Sequence, residues 1–373
     1  LYTGVFMNFA ADKSVILNSI NTVTKALPQK TAVAVIEGIL FQIQDGKVKL
    51  SCTDLSMTIE DSFGAEISDD TPIVLNGKLI GEIVRKMPNG EIRISGNEQD
   101  GVVISGQGSK ISIMSMKADD FPQLPHFTKA KSYSLPQGLL KQMINQTIFA
   151  AAPEGFIRQI LTGCLFEISG NTFNIVALDT VRLALRSAEI EGENEPLRAV
   201  VPCSALNEIS KILSDEDTPV EVYFNKSNAL FSVGSTNVFT RLYEGEYLKY
   251  QSFIPTVHDL EFTVSRAELL DSIDRAWLMA RENVRNNYIL FSIDKEKLVI
   301  TSRSESGNVY EVVNINGCNK DLQIAFNAKY FVDCLKNIND EVIRLCMTTN
   351  RSPCLIKPVD NDRKVYLILP VKV

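Results

Sequence analysis

The stretch ILFQIQDGKVKLSCTD (residues 39–54) recurs as CLFEISGNTFNIVALD (164–179) and again as ILFSIDKEKLVITSRS (289–304), with a spacing of 125 residues both times. In each copy an apolar run carrying Leu-Phe (40–41, 165–166, 290–291) meets a turn of Gly, Asn or charged residues, and a second alternating run follows. Alternation with period two, bounded by turn residues, marks a β-hairpin. The chain therefore carries one hairpin three times, and a fixed internal period constrains architecture more than any single motif does.

Working outward, each hairpin has the same flanks. Upstream lie KSVILNSINTVTKAL (13–27), PQGLLKQMINQTIFAA (136–151) and SRAELLDSIDRAWLMAR (265–281), each read as an amphipathic helix after a short strand near Phe9, Tyr133 and Phe262. Ile16, Ile20, Val23 and Leu27, like Leu269, Ile273 and Ala276, show the spacing that puts side chains on one helical face. Downstream, VLNGKLIGEIVRKM (74–87), VVPCSALNEISKIL (200–213) and IAFNAKYFVDCLKNI (324–338) each read as a strand running into a second helix, with more strands after it. The fold class is therefore α+β: three repeated units, each with two helices and about eight antiparallel strands. Proline-bearing stretches, FPQLPHFTKAKSY (121–133) and SFIPTVHDL (252–260), separate them. The expected units are 7–126, 127–257 and 258–373, with residues 1–6 as an extraneous extension before Met7.

The composition sets limits on function. The 373 residues are 45% hydrophobic and 22% charged, an ordinary globular balance. No run approaches the roughly 20 apolar residues of a membrane helix, and LYTGVFMNFA lacks the plan of a signal peptide, so a soluble cytoplasmic protein is expected. Seven cysteines without a CxxC pair read as reduced core residues, and two histidines, His126 and His258, hardly supply a zinc cage or a His-based triad. No metal or cofactor is expected. GVVISGQGSKIS (101–112) has glycines but no GK[ST] ending and reads as strand-turn-strand. The acidic clusters Asp215-Glu216-Asp217 and Asp360-Asn361-Asp362 lack EF-hand spacing and read as solvated turns. No catalytic constellation emerges, so the protein is expected not to be an enzyme.

A formal charge of −7 argues against a simple basic-patch DNA binder. The helical windows, however, sum to +5, which leaves −12 elsewhere. This balance does not exclude a protein that surrounds DNA.

KADDFPQLP (117–125), LTGCLFEI (161–168), ALDTVRLA (177–184), IAFNAKYFVDCL (324–335) and the terminal YLILPVKV (366–373), in this order, resemble the bacterial sliding clamp, the beta subunit of DNA polymerase III, from Met7 to Val373. The resemblance implies a head-to-tail homodimeric ring of DNA-clamp domains with helices lining the hole. Such a ring encircles double-stranded DNA without reading its sequence. It implies as partners the alpha subunit of the replicative polymerase, the clamp loader, and other polymerases and repair proteins bearing a short clamp-binding motif, in the bacterial cytoplasm at the nucleoid. A repeat-built interaction scaffold and a divergent secondary clamp paralogue are the rival readings.

Residue by residue, the resemblance implies a hydrophobic peptide groove at Leu161, Leu178, Thr180, Val181, Arg182, Leu183 and Leu248. The third repeat and tail add Asn327, Tyr330, Arg351, Pro353, Leu367, Ile368, Leu369, Pro370, Val371 and Lys372. Thr180 and Val181 stand where Gly and His or Tyr are common, and Leu248 and Ser252 where Pro and Arg are, so the peptide preference is left open. Lys30, Lys78, Arg85, Lys141 and Arg158 are the expected DNA-facing bases. Gln159 and Ile160 replace the aromatic residues that elsewhere follow Arg158. Ring closure is expected at Ile111 and Ile113 on an edge strand, and at Leu278 and Met279 on a helix.

Overall fold

The computed structural model describes residues 6–125, 127, 132–191, 195–282, 287–318 and 320–372. Residues 1–5 of the expected extension, His126 and residues 128–131 of the first linker lie outside the described residues.

The first repeat runs β1 (Met7–Asp12), α1 (Lys13–Val23), β2 (Gly38–Gln44), β3 (Lys47–Thr53), β4 (Met57–Phe63), β5 (Glu66–Asp70), β6 (Ile73–Asn76), α2 (Gly77–Lys86), β7 (Glu91–Asn97), β8 (Gly101–Gly106) and β9 (Ser109–Ile113). The second runs β10 (Ser132–Pro136), α3 (Gln137–Asn145), β11 (Gly163–Ser169), β12 (Thr172–Leu178), β13 (Arg182–Glu189), β14 (Leu197–Pro202), α4 (Cys203–Ile212), β15 (Pro219–Phe224), β16 (Asn228–Val233) and β17 (Thr236–Arg241). The third runs β18 (Leu260–Ser265), α5 (Arg266–Ala280), β19 (Tyr288–Asp294), β20 (Lys297–Arg303), β21 (Asn308–Asn314), β22 (Leu322–Asn327), α6 (Ala328–Asn337), β23 (Val342–Met347), β24 (Cys354–Pro358) and β25 (Lys364–Ile368).

The three quoted hairpins are β2–β3, β11–β12 and β19–β20, all antiparallel. In the first, Asp45 and Gly46 both take positive φ (51° and 70°), the turn that matches strand twist. GVVISGQGSKIS forms β8, a Gln107-Gly108 turn with positive φ at both residues, and β9. Helices α1, α2, α5 and α6 open on a side-chain cap: Asp12, Asn76, Ser265 and Asn327 respectively accept a backbone N–H of the first turn.

Helices α1 and α3 end earlier than periodicity suggests. After Val23 the chain tightens into a 3-10 turn, Thr24–Ala26, and Leu27 is already extended. After Asn145, Thr147 turns its hydroxyl back onto the Met143 and Ile144 carbonyls, and a 3-10 turn, Ile148–Ala150, follows.

The molecule comprises two compact units, Leu1–Gly138 with Glu208–Leu242, and Leu139–Asn207 with Tyr243–Val373. The first holds a five-stranded sheet, β5-β1-β7-β8-β9, and an eight-stranded sheet, β10-β15-β16-β17-β4-β3-β2-β6. The second holds an eight-stranded sheet, β14-β11-β12-β13-β25-β24-β23-β18, and a four-stranded sheet, β21-β20-β19-β22. The middle repeat is thus shared, its strands β10 and β15–β17 joining the first unit's sheet through β4, and β11–β14 joining the second's through β25.

Candidate functional site

In the second unit, β25 lies between β13 and β24, which brings the end of the chain into the middle of a sheet. Cross-strand register aligns Val200, Leu165, Val176, Leu185 and Val365 in one row. The next row on the same face is Leu178, Leu183, Leu367, Leu355 and Cys346. All ten belong to one apolar cluster. Residues two apart on a strand share a face, so the pattern of β25 puts Val365 and Leu367 on this floor, with Leu369 following. Each fully buried Leu or Val here contributes about 1.5–3 kcal/mol of burial.

Two irregular segments lie over the floor: Ala152, Phe156, Ile160 and Leu161 come from the stretch after α3, and Tyr243, Tyr247, Leu248, Tyr250 and Ile254 from the stretch after β17. Tyr250 fastens its segment, since its hydroxyl donates to Glu167 Oε2 at 2.5 Å while Arg198 pairs with Oε1 at 2.9 Å. Burial, with the Glu167 carboxylate next, pushes the Tyr250 phenol well up, so it remains a neutral donor. Phe156, Ile160, Leu248, Ile254 and Leu369 are only partly buried, and they pack against the margin of this cluster.

The tail is pinned at two points. Leu369 N donates to Val181 O at 2.8 Å, and Val371 N donates to Ala325 O on β22 at 2.9 Å. Pro370 between them has no N–H to satisfy. Leu369, Pro370 and Val371 remain half-buried and Lys372 is exposed.

Arg182 has a structural task at this site. Asp179 Oδ1 accepts the Val181 and Arg182 amides at 2.8 and 2.9 Å, forming a tight turn, and its Oδ2 takes Arg182 Nε at 3.1 Å. Arg182 Nη1 reaches Asp333 of α6 at 2.8 Å, and the guanidinium carbon lies 4.7 Å from the Tyr330 ring centroid. Stacking on Tyr330 and two carboxylates hold this charge in place. Asn327 is similarly committed, capping α6 through Lys329 N at 3.0 Å.

Of the expected groove residues, the cluster brings together Leu161, Leu178, Leu183, Leu248, Leu367 and Leu369. Ile368 is buried but alternates to the other face of β25 with Tyr366, whose ring stacks on Phe149. Thr180 and Arg351 are exposed; Val181 and Pro353 are half-buried. Ile160 packs on the groove cluster, while Gln159 is exposed. Sequence reasoning missed Leu185, Leu355 and Val365, which alternation along β13, β24 and β25 would have found. It also missed Phe156, Tyr247, Tyr250 and Ile254, whose irregular segments carry no periodic signal.

The expected DNA-facing bases divide between the units. In the first, Lys30 is exposed on the loop before β2; Lys78 and Arg85, seven apart on α2, flank Glu82 in a cleft of about 480 Å³ beside α1. In the second, Arg158 is exposed and Lys141 half-buried on α3. For ring closure, β9 is an edge of the first unit's five-stranded sheet, with Ile111 36% exposed and Met114, just beyond it, 70% exposed. In the second unit β21 is likewise an edge, with Tyr310 and Val312 outward, and Leu278 of α5 is exposed. Met279 packs on the β20–β21 turn, where Ser304 Oγ lies 3.6 Å from its sulfur. The β21 edge was not anticipated from sequence.

Three family profiles match in order: DNA polymerase III beta subunit N-terminal domain over 7–125, central domain over 134–249, and C-terminal domain over 251–372. The chain is 31% identical to the beta sliding clamp of Staphylococcus epidermidis over 376 residues, covering 98% of this chain and 99% of that one. It belongs to the bacterial beta sliding clamp family. Among solved structures, the sliding clamp of Bacillus subtilis superposes with a TM-score of 0.94 at 31% identity, over 98% of this chain and 99% of that one. The beta subunit of Thermotoga maritima gives 0.90 at 28%, over 98% and 100%. Beta sliding clamps are non-enzymatic processivity factors, which accords with the absence of a catalytic motif in the sequence.

Proposed function

We propose that two copies of this chain close head to tail into a ring around duplex DNA, and that the ring tethers replication proteins through the groove beside β25. What supports the reading is the apolar cluster on this sheet, the partly buried side chains packed against it, and the chain end pinned beside it. Such a surface accepts the Leu and Phe side chains of a short linear peptide. The alpha subunit of the replicative polymerase, the clamp loader, and other polymerases and repair proteins that bear such a motif are its proposed occupants. Leu161, Leu178, Leu183, Leu248, Leu367 and Leu369 supply the apolar contact, Arg182 and Tyr330 brace the side nearest α6, and Lys372 offers charge at the rim.

Ring closure pairs the β9 edge of one copy with the β21 edge of the next, covering Ile111, Ile113, Leu278 and Tyr310, which removes two unpaired edges. Lys30, Lys78, Arg85, Lys141 and Arg158 make weak phosphate contacts that permit sliding. Among the described residues no helix is long and apolar enough to cross a membrane. The proposed setting is the bacterial cytoplasm, at the nucleoid.

The test is titration of a labelled pentapeptide of the Gln-Leu-x-Leu-Phe type against the chain and against a version lacking Leu369 to Val373. Micromolar binding lost on truncation is expected. No binding to either form, or equal binding to both, would overturn the groove assignment.

A further inference from the structure

Away from the groove floor, the second unit holds two thiols in contact. Cys164, fully buried on β11, and Cys203, half-buried at the first position of α4, have their sulfurs 3.6 Å apart, and neither is in a disulfide. They are positioned by the β11–β14 ladder, in which Gly163 faces Pro202 and Cys164 faces Val201. The ladder brings together residues far apart in sequence, with Cys203 one position past the Gly163–Pro202 pair and so diagonal to Cys164. A disulfide needs the sulfurs about 1.5 Å closer than this contact.

The pair is reachable from one side. Cys203 lines an open cleft of about 300 Å³ with Glu154, Thr162, Ser204, Asn207 and Tyr243. A hydroperoxide entering the cleft meets Cys203 first, and Cys164 lies behind it.

We propose that Cys164 and Cys203 form a modification site, a dithiol that a hydroperoxide such as hydrogen peroxide converts into an intramolecular disulfide. In the first step the Cys203 thiolate attacks one peroxide oxygen, the O–O bond breaks, hydroxide leaves, and Cys203 becomes a sulfenic acid. In the second, the Cys164 sulfur attacks the Cys203 sulfur, the S–O bond breaks, the hydroxyl group takes the thiol proton and leaves as water, and the S–S bond closes. The two thiols together lose two electrons and the peroxide gains them. The thiol–thiol contact with Cys203, followed by burial, holds the Cys164 thiol well above the usual thiol range. Cys203, which lines the cleft, is the one oxidised first, and the buried Cys164 is the resolving partner. The five remaining cysteines are differently placed: Cys52, Cys334, Cys346 and Cys354 are buried, and Cys318 lies partly exposed on a loop outside this cleft.

The experiment treats the full-length protein with stoichiometric hydrogen peroxide, blocks free thiols with an alkylating agent under denaturing conditions, and maps tryptic peptides by mass spectrometry. The expected result is a reducible cross-link between peptides 159–182 and 199–211, with a fall in titratable thiols from seven to five. Cys203→Ser abolishes the cross-link and leaves Cys164 as a free thiol, while Cys318→Ser leaves the cross-link unchanged. Cys203 oxidised to sulfinic acid with Cys164 still free, or no oxidation at either position while Cys318 reacts, would overturn the proposal. The readout on the unmutated protein holds whether or not the variants fold.

Discussion

Replacing Leu367 by Ala separates the floor of the groove from its margin. Leu367 is 4% exposed and sits between Leu183 and Leu355, themselves 3% and 1% exposed. Both neighbours are fixed in paired strands and cannot collapse into the space. A buried Leu→Ala change costs about 2–5 kcal/mol, and a flanked central position belongs near about 3. In a unit of about 200 residues each kcal/mol lowers Tm by about 2–4 °C, so the transition of the second unit should fall by about 6–12 °C. Leu369, half-buried at the margin, behaves in the opposite way. Leu369→Ala should cost less than about 1 kcal/mol of stability but weaken the pentapeptide about 5- to 30-fold, the loss of one apolar anchor. Calorimetry of both variants and fluorescence anisotropy with the labelled peptide measure the pair. A Tm for Leu367→Ala within about 2 °C of the parent, or unchanged affinity for Leu369→Ala, would refute the division.

Gly163→Ala should destabilise by about 1–3 kcal/mol in urea titration, because an added Cβ would sit 2.8 Å from Val201 O and 3.0 Å from the Tyr243 ring. Lys30→Ala with Arg158→Ala should weaken DNA binding across all sequences and reduce the salt slope by about one per lost phosphate contact, measured by anisotropy at several salt concentrations. Arg275 grips Glu311 with Nε–Oε1 at 2.9 Å and Nη2–Oε2 at 2.6 Å, fastening α5 to β21 and holding the Glu311 carboxyl below its usual 4.5. A depressed carboxylate contributes stability above its unfolded pKa and loses it as pH falls through the folded value, so acid unfolding below about pH 4.5 should soften in Glu311→Gln. Arg275 is 55% exposed, which keeps the effect below about 1 kcal/mol.

Much of this fold was legible because the same hairpin is written three times, and the strand-to-helix passages at Asn76, Pro202 and Asn327 fall where the sequence changes period. Helix ends were less legible: the side-chain bond of Thr147 onto the preceding turn is a local competition that hydrophobic spacing does not register. The sharing of the middle repeat between two units was also hidden, since it depends on β4 meeting β17 and β13 meeting β25, pairings remote in sequence. In the candidate site, the residues carried over by resemblance mark the floor and tail, while alternation along β25 separates Leu367 from Ile368. The covering segments were opaque, because Tyr247 and Tyr250 are placed by tertiary packing and by a bond to Glu167 rather than by any periodic pattern.

The ring is tested most directly by retention on DNA of defined topology. Labelled protein is loaded by a clamp loader onto a nicked circular duplex, and the DNA-bound fraction is followed by gel filtration before and after the circle is cut once. The account predicts stable retention on the circle, as a species of twice the chain's 41.4 kDa, and rapid loss once an end is available. Equal retention before and after cutting, or a monomer that never stays on the circle, would contradict it.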